Sequence, residues 1–173
     1  MGDGRLPPAR GTILVIGYGN TLRSDDGVGR RVAMAAASWE MPGLESIAVH
    51  QLTPELAEPL ASAELAIFVD ARLASGEESV EILPLEPSAV RGTLGHAGDP
   101  RSLLALARAI YGCHPRTWLV TVPTADLSLG EVLSSTAERG AENALARIAA
   151  LIEAEGMHPA TGWAVTKNSM NRT

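Results

Sequence analysis

The chain has 173 residues, a formal net charge of −6 and a hydrophobic fraction of 46%. A chain of this length is expected to form one domain with a sizeable core. Its acidic charge disfavours a nucleic-acid partner, which requires clustered basic surface. The single cysteine, Cys113, excludes an internal disulfide and a multi-cysteine metal site. Because no apolar run approaches the roughly 20 residues of a membrane span, we expect a cytoplasmic protein without a membrane partner. We also expect a monomer.

The chain is predicted to contain one domain between two irregular ends. Residues 1–11 are polar and rich in proline and glycine, which indicates a flexible lead-in. A single α/β domain is predicted over 12–156. Residues 157–173 are assigned to a tail of undetermined order.

Strands and helices alternate along the first half of this domain. The first three strands are predicted at 12–17, 46–52 and 65–70. The first and third are continuous apolar runs, which are typical of strands buried on both faces of a parallel sheet. A helix over about 26–38 follows the first strand. Thr53 and Pro54 have the sequence of a helix start after the second strand.

The second half departs from this alternation once. The short stretch after the third strand has no helix pattern, which favours a direct return to an antiparallel fourth strand at 79–85. A helix at 100–111 and a fifth strand at 117–122 follow. A capping box at 135–138 opens the last helix, which is predicted to stop near Gly156. We therefore predict an α/β three-layer sandwich, with a five-stranded mostly parallel sheet, one antiparallel edge strand and helices on both faces.

The turn after the first strand, GYGNTLRSDDGVG, combines glycines with two adjacent aspartates. Gly17 and Gly19 suggest a dinucleotide fingerprint, but that fingerprint requires a third glycine where this chain has Leu22. A phosphate group at this turn would also meet the charges of Asp25 and Asp26. Nucleotide binding, as in a nucleotide-dependent oxidoreductase, is therefore disfavoured.

Three ionisable residues are predicted to lie together at the carboxyl edge of the sheet. Ser24 or Asp25 is expected to cap the following helix, which leaves one aspartate of the pair facing this edge. Asp70 ends a strand after five apolar residues, where an isolated charge is costly unless it is paired or coordinated. His96 lies in a loop long enough to return it to the same edge.

Each of these residues also has a plainer interpretation. Asp70 could be a turn or cap carboxylate, and His96 could be a solvent-facing loop histidine. Together, however, two carboxylates and one imidazole form a ligand set that suits a divalent transition metal such as nickel or zinc.

The segment ILVIGYGNTLRSDDGVG at 13–29 closely resembles the opening motif of the hydrogenase maturation proteases. These endopeptidases trim the large subunit of nickel–iron hydrogenases. The resemblance continues through FVDA at 68–71, through His96 ahead of an apolar helix, and through LVTVP at 119–123. It covers roughly residues 12–155.

The resemblance implies a site and a reaction. Asp26, Asp70 and His96 match the family's metal ligands and are the implied catalytic residues. The implied activity is removal of a C-terminal extension from a nickel-loaded large-subunit precursor, so the nickel would come with the substrate and the resting enzyme would be metal-free. The metal could polarise the scissile carbonyl or generate hydroxide, or it could be a tether while a carboxylate activates water. The alternative is a non-cleaving module that checks nickel loading or acts as a chaperone in hydrogenase assembly.

Other side chains have weaker patterns. Cys113 and His114 are adjacent in sequence, which rarely gives the geometry of a nucleophile pair, and Cys113 is predicted to be a partly buried small hydrophobe. Arg30 and Arg31 are predicted to form a solvated helix face that could meet an acidic substrate loop. His50 is predicted to make a structural hydrogen bond.

Overall fold

The computed structural model describes residues 11–74, 79–88 and 98–157. Within these ranges the chain forms five strands and four α-helices. In chain order they are β1 (Ile13–Tyr18), α1 (Val28–Ala37), β2 (Leu44–Val49), α2 (Ala57–Ser62), β3 (Leu65–Leu73), β4 (Glu81–Pro84), α3 (Pro100–Tyr111), β5 (Arg116–Thr124) and α4 (Ser135–Ala154). Short 3-10 helices at Ser24–Gly27 and Pro54–Leu56 lead into α1 and α2. Apart from Gly11 and Met157, the predicted lead-in and tail lie outside the described residues.

The strands form one sheet in the order β2-β1-β3-β5-β4. The first four of these are parallel, and β4 runs antiparallel to β5 at the edge. The chain can reach β4 from the end of β3 without a crossover helix, because an antiparallel strand starts at the edge where β3 ends. The predicted fold class, with its five-stranded mostly parallel sheet and one antiparallel edge strand, is confirmed.

Helices cover both faces of the sheet because the buried strands present apolar side chains on each side. The core under α1 and α4 includes Val15, Val32, Ile67 and Ile148. The core under α2 and α3 includes Ile16, Leu60, Phe68 and Leu104. Burial of each such side chain stabilises the fold by roughly 1.5–3 kcal/mol. The two cores therefore fix the positions of the strands, whose ends carry polar residues. None of the helices in the described ranges is long and apolar enough to cross a membrane.

Two glycines allow α1 to lie directly against the sheet. A Cβ at Gly17 would overlap the main-chain carbonyl of Gly29, and a Cβ at Gly29 would overlap the carbonyls of Tyr18 and Val69. The first turn of α1 therefore packs on β1 and β3 through main-chain atoms. This close approach holds the preceding 3-10 helix over the carboxyl edge of the sheet.

The third strand is longer than predicted. Asp70 was expected to end it, but β3 continues to Leu73. The physical reason is pairing: β5 also extends to Thr124, and its residues bond with β3 in register up to that point. Asp70 is therefore a side chain within a paired strand, and its direction is fixed by the ladder.

The predicted caps of α1 and α4 are wrong in detail. Neither Ser24 nor Asp25 makes a side-chain cap to the helix that follows. The N-cap of α4 is Ser134, one residue before the predicted position, and its Oγ accepts a 3.2 Å hydrogen bond from the main-chain N–H of Ala137. By contrast, the helix predicted at 100–111 is confirmed, with Asp99 as its N-cap.

Candidate active site

Polar side chains from separate elements meet at the carboxyl edge of the parallel strands. Tyr18 ends β1, Asp70 lies in β3, and Asp26 lies in the 3-10 helix between β1 and α1. Ligands of parallel α/β sheets bind at this edge, because the connecting loops leave a crevice there. All three side chains are half-buried, so they are neither in the dry core nor fully in solvent.

Asp70 is held from two sides. The Tyr18 hydroxyl donates to its Oδ2 at 2.9 Å, and the main-chain N–H of Ala71 donates to its Oδ1 at 2.8 Å. An ionised carboxylate has about four acceptor sites, so each oxygen of Asp70 retains capacity for a further partner. The side chain is therefore oriented but not saturated.

The electrostatic environment of Asp70 disfavours its charge. Burial raises its pKa, and this outweighs the hydrogen bonds from Tyr18 and Ala71, which lower it; the negative charge of Asp26 raises it further. The influence of Asp26 means that the two carboxylates lie close enough to repel each other. A bound divalent cation would replace that repulsion with attraction.

Tyr18 is a hydrogen-bond donor that does not ionise. Burial raises the pKa of its hydroxyl far above the usual range, and the charge and the hydrogen bond of Asp70 raise it further. The charge of Asp99, at the start of α3, acts in the same direction. The sequence interpretation did not include Tyr18, although its position two residues after Ile16 places it on the α2 and α3 face of the sheet.

Asp26 is positioned by the tight turn before it. Its Oδ2 accepts a 2.8 Å hydrogen bond from the main-chain N–H of Asn20. Gly19 adopts a φ of 138°, which side-chain-bearing residues rarely adopt, and a Cβ there would overlap the main-chain carbonyl of Asp26. The predicted role of the turn, which is to bring a carboxylate to the sheet edge, therefore has a structural basis.

Asp25 binds the loop that follows β5 and joins its two ends. Its Oδ2 accepts hydrogen bonds from the N–H of Ala125 at 2.8 Å, the N–H of Asp126 at 2.9 Å and the hydroxyl of Ser134 at 2.7 Å. Its Oδ1 accepts from the N–H of Ser134 at 2.6 Å. Asp25 is fully buried. Burial raises its pKa, but the hydrogen bonds from Ser134, Asp126 and Ala125 together lower it below its ordinary value.

The third predicted ligand, His96, lies outside the described residues. The structure therefore brings together Asp26 and Asp70 and does not describe His96. Among the described residues, no group of three or more His, Cys, Asp or Glu side chains is placed to hold a metal ion. The residues that flank the segment at 89–97 both lie at the start of α3. Before the segment, the N–H of Ser88 donates to the carbonyl of Arg101 at 3.0 Å; after it, Asp99 caps the helix.

Thr121 is a further polar residue beside Asp70 that sequence reasoning missed. It is the β5 residue in register with Asp70, so both side chains lie on the same face of the sheet. Its Oγ1 is buried and has no hydrogen-bond partner among the described residues. The signal in the sequence is weak, because the threonine lies inside an apolar strand and is equally typical of a β-branched core position.

The other candidate side chains lie elsewhere. Cys113 is half-buried, as predicted, and its thiol donates to the carbonyl of Ala61 at 3.4 Å. Nδ1 of His114 is 3.0 Å from the carbonyl oxygen of Pro115. His50 is exposed, and its main-chain carbonyl accepts a 3.3 Å hydrogen bond from the N–H of Gly19.

Comparison with known proteins gives matches among solved structures. No protein-family model matches the chain, and no curated protein matches it. The hydrogenase 2 maturation peptidase of a Thaumarchaeota archaeon is 27% identical with a TM-score of 0.62, over 85% of this chain and 99% of that chain. The hydrogenase maturating endopeptidase HybD of E. coli is 24% identical with a TM-score of 0.65, over 84% and 94%. The NiFe hydrogenase maturation protease HycI of Thermococcus kodakarensis is 23% identical with a TM-score of 0.62, over 82% and 92%.

These matches cover almost the whole length of each solved structure, so the likeness extends over the entire domain. The sequence resemblance came from short motifs, whereas the structural likeness comes from the path of the chain. The two agree, and the chain has the fold of the hydrogenase maturation proteases.

Proposed function

We propose that this protein is an endopeptidase that removes a C-terminal extension from the large-subunit precursor of a nickel–iron hydrogenase. One observation carries the proposal: the turn after β1 and the neighbouring strand β3 bring two half-buried carboxylates, Asp26 and Asp70, to the same carboxyl edge of the sheet. The shared fold with proteins named hydrogenase maturation peptidase or endopeptidase supports the peptidase class.

The nickel of the precursor is the proposed object of recognition. Asp26 and Asp70 would supply oxygen ligands, and His96 would supply an imidazole nitrogen, which is a mixed set that suits nickel. The donor chemistry fits, because Asp70 accepts only two hydrogen bonds within the described ranges and a cation would relieve the repulsion between the carboxylates. Three protein ligands also leave positions at the metal for ligands that belong to the precursor.

Chain length supports His96 as the third ligand. It precedes Asp99 by three residues, and a residue spans at most about 3.3–3.6 Å, so the two Cα atoms lie within roughly 11 Å of each other. Asp99 is in turn close enough to Tyr18 for its charge to act on the hydroxyl that binds Asp70. The position of His96 in the sequence, three residues before Asp99, is therefore the support for proposing it as the third ligand.

Two chemical routes fit this arrangement. When bound, the nickel would supply Lewis-acid activation of the scissile carbonyl or of water. In the other route the nickel is only a tether, and a carboxylate accepts a proton from the attacking water. In both routes Tyr18 orients Asp70 through a hydroxyl that remains protonated.

The decisive experiment mixes the purified protein with nickel-loaded and nickel-free precursor and follows the precursor by mass spectrometry. Nickel-dependent loss of a C-terminal peptide is the expected result. Tight binding with an unchanged mass would instead support the non-cleaving module that checks nickel loading. The absence of both binding and cleavage would contradict the proposal.

Variants at the three ligand positions test the site itself. Asp26→Ala, Asp70→Ala and His96→Ala should each abolish processing in folded protein. Glu58→Ala, which removes an exposed carboxylate on α2, is the matched control and should process normally. Normal processing by all three site variants would refute the ligand assignment.

The encounter is proposed to take place in the cytoplasm, where the precursor would meet a monomeric enzyme. Fractionation of cells tests the location, and analytical ultracentrifugation of the purified protein tests the monomeric state.

A further inference from the structure

Exposed apolar side chains are distributed unevenly over the described surface. Seven large apolar residues there are more than half exposed. Four of them, Leu22 at 58%, Met34 at 62%, Leu129 at 87% and Val132 at 78%, belong to the turn after β1, to α1 and to the loop between β5 and α4. We refer to these four as the apolar patch. The other three lie on β3, β4 and α3.

Main-chain hydrogen bonds join the segments that carry the patch. The N–H of Gly130 donates to the carbonyl of Leu22 at 3.0 Å, and the N–H of Ser24 donates to the carbonyl of Gly130 at 2.7 Å. These bonds form a parallel bridge between Arg23 and Gly130. A Cβ at Gly130 would lie 2.7 Å from the Ser24 hydroxyl, so the two segments approach each other closely at this glycine. Leu22 and Leu129 are consequently neighbours.

The loop that carries Leu129 and Val132 is fixed at both ends. The carboxylate of Asp25 binds the N–H groups of Ala125 and Asp126 at one end and Ser134 at the other. The two apolar side chains are thus presented by an anchored loop. Exposed apolar surface on an ordered scaffold is typical of a docking site, because little further ordering is needed on binding.

Arginines outnumber acidic residues in the lining of the groove beside the patch, in contrast to the chain as a whole. A groove between the turn, α1 and the loop is lined in part by Arg30, Arg31, Met34, Glu131 and Leu133. Nε of Arg30 is buried and has no hydrogen-bond partner in the part of the chain that the structure describes. Arg23, also exposed, adjoins the same turn. In a chain with a net charge of −6, these arginines favour a partner that carries carboxylates around its apolar residues.

We propose that the apolar patch is the docking surface for the hydrogenase precursor and binds an apolar segment of it that is flanked by carboxylates. This inference rests on the proposed function. Asn20 joins the patch to the proposed site, because its Oδ1 accepts a 2.9 Å hydrogen bond from the N–H of Leu22 and its own N–H donates to Oδ2 of Asp26 at 2.8 Å. A precursor seated on Leu22 and Leu129 would therefore lie beside the carboxylates that receive its nickel.

The experiment measures KM and kcat on purified nickel-loaded precursor. The variant Leu129→Ser/Val132→Ser should raise KM by about tenfold or more, as expected for apolar anchors, while kcat changes less than about twofold. Leu22→Ser should act in the same direction. Leu83→Ser/Ile110→Ser is the matched control, since both side chains are 54% exposed on other elements, and it should leave KM unchanged.

The outcomes separate this inference from the proposed function. If the wild-type protein neither binds nor cleaves the precursor, the proposed function fails. If the wild-type protein cleaves and the patch variant has an unchanged KM, the docking surface is overturned while the function stands. A wild-type dimer in the ultracentrifuge that Leu129→Ser dissociates would assign the patch to self-association and would also overturn the inference.

The basic surroundings allow a second, independent readout. Arg31→Ala removes an exposed charge from the groove and should raise KM more at low ionic strength than at high ionic strength, because surface charge attraction is screened by salt. A salt-independent effect, or none, would contradict the acidic character assigned to the precursor segment.

Discussion

Asp25 and Asp70 are both withdrawn from solvent near the same edge of the sheet, yet their environments are opposite. Asp25 is fully buried and accepts four hydrogen bonds, and its pKa is lowered. Asp70 is half-buried and accepts two from the residues that the structure describes, and its pKa is raised. At Asp25 the hydrogen bonds together outweigh the effect of burial on the pKa, whereas at Asp70 burial outweighs the two hydrogen bonds.

This difference separates a structural carboxylate from one that is available for a ligand. Asp25 uses its acceptor sites on main-chain and hydroxyl donors, so it has little left for a metal. Asp70 is oriented by Tyr18 and Ala71, has no further hydrogen-bond donor among the described residues, and is repelled by Asp26. Adjacent aspartates in the sequence thus have separate tasks: Asp25 anchors a loop, and Asp26 faces Asp70.

The largest effect is expected on activity, from Asp70→Asn. The amide retains the shape and can still bond with Tyr18 and Ala71, but it removes an anionic ligand. Processing of nickel-loaded precursor should fall by at least about 100-fold, because even the partners of metal ligands are worth 10–100-fold. The free energy of unfolding should not fall, since burial disfavours the charged form of Asp70. A normal processing rate, measured alongside a urea titration, would contradict the role assigned to this carboxylate.

Asp25→Asn should mainly lower the stability of the protein, whereas Asp70→Asn should mainly lower its activity. The amide group of the new side chain would face N–H donors, so buried donors would lose their acceptor. The expected loss is about 2–4 kcal/mol of unfolding free energy, measured by urea denaturation. Asp26→Asn is the matched control, because Asp26 is half-buried and its carboxylate accepts a main-chain bond from Asn20 alone among the described residues. It should cost less than about 1.5 kcal/mol. Equal losses in the two variants would remove the distinction between the neighbouring aspartates.

The pH dependence of stability sharpens the same contrast, with a smaller effect. The pKa of Asp25 lies below its ordinary value of 3.8, so its contribution is complete above pH 3.8 and is lost as the pH falls through the lowered value. The pKa of Asp70 lies above 3.8, so its ionisation costs stability as the pH rises from 3.8 to the raised value. A tenfold difference in proton affinity between the folded and the unfolded chain corresponds to about 1.4 kcal/mol of stability.

Urea titrations between pH 3 and pH 7 should therefore give curves of opposite sense. The deficit of Asp25→Asn relative to the wild type should shrink as the solution is acidified below pH 3.8, and any advantage of Asp70→Asn should disappear there. Parallel curves for the two variants would show that their environments do not differ in the way the structure indicates.

The parts of this fold that the sequence predicts are those governed by local pattern. Apolar runs and helical spacing are sufficient for the alternation of strands and helices, for the antiparallel fourth strand and for the bounds of α3, because each depends on neighbouring residues. The bounds of β3 are not local. Its extension to Leu73 depends on pairing with β5, about 50 residues away in sequence.

The site divides in the same way. The motif around Asp26 and the strand that carries Asp70 are recognisable from short segments, which is why their convergence could be predicted. The partners of Asp25 lie 100 to 109 residues away, and no spacing rule connects them. The local alternative, a helix cap, was therefore the natural interpretation of Asp25, and it is wrong. Tyr18 was missed for a related reason. Its role in the site is the hydrogen bond from its hydroxyl on β1 to Asp70 on β3, which no sequence spacing indicates.

The smallest expected effect concerns Thr121, which shares a face with Asp70 but makes no comparable bond within the described ranges. Thr121→Val keeps the shape of the side chain and removes a buried hydroxyl that lacks a partner among the described residues. Replacing an unsatisfied polar group with an apolar isostere is nearly neutral or stabilising, so unfolding free energy should change by less than about 1 kcal/mol and should not fall. A clear loss of stability would mean that the hydroxyl has a partner in the folded protein. Unchanged stability with slower processing of the precursor would mean that the Thr121 hydroxyl, like Asp70, has the substrate as its partner. Asp25, by contrast, has its partners within the protein.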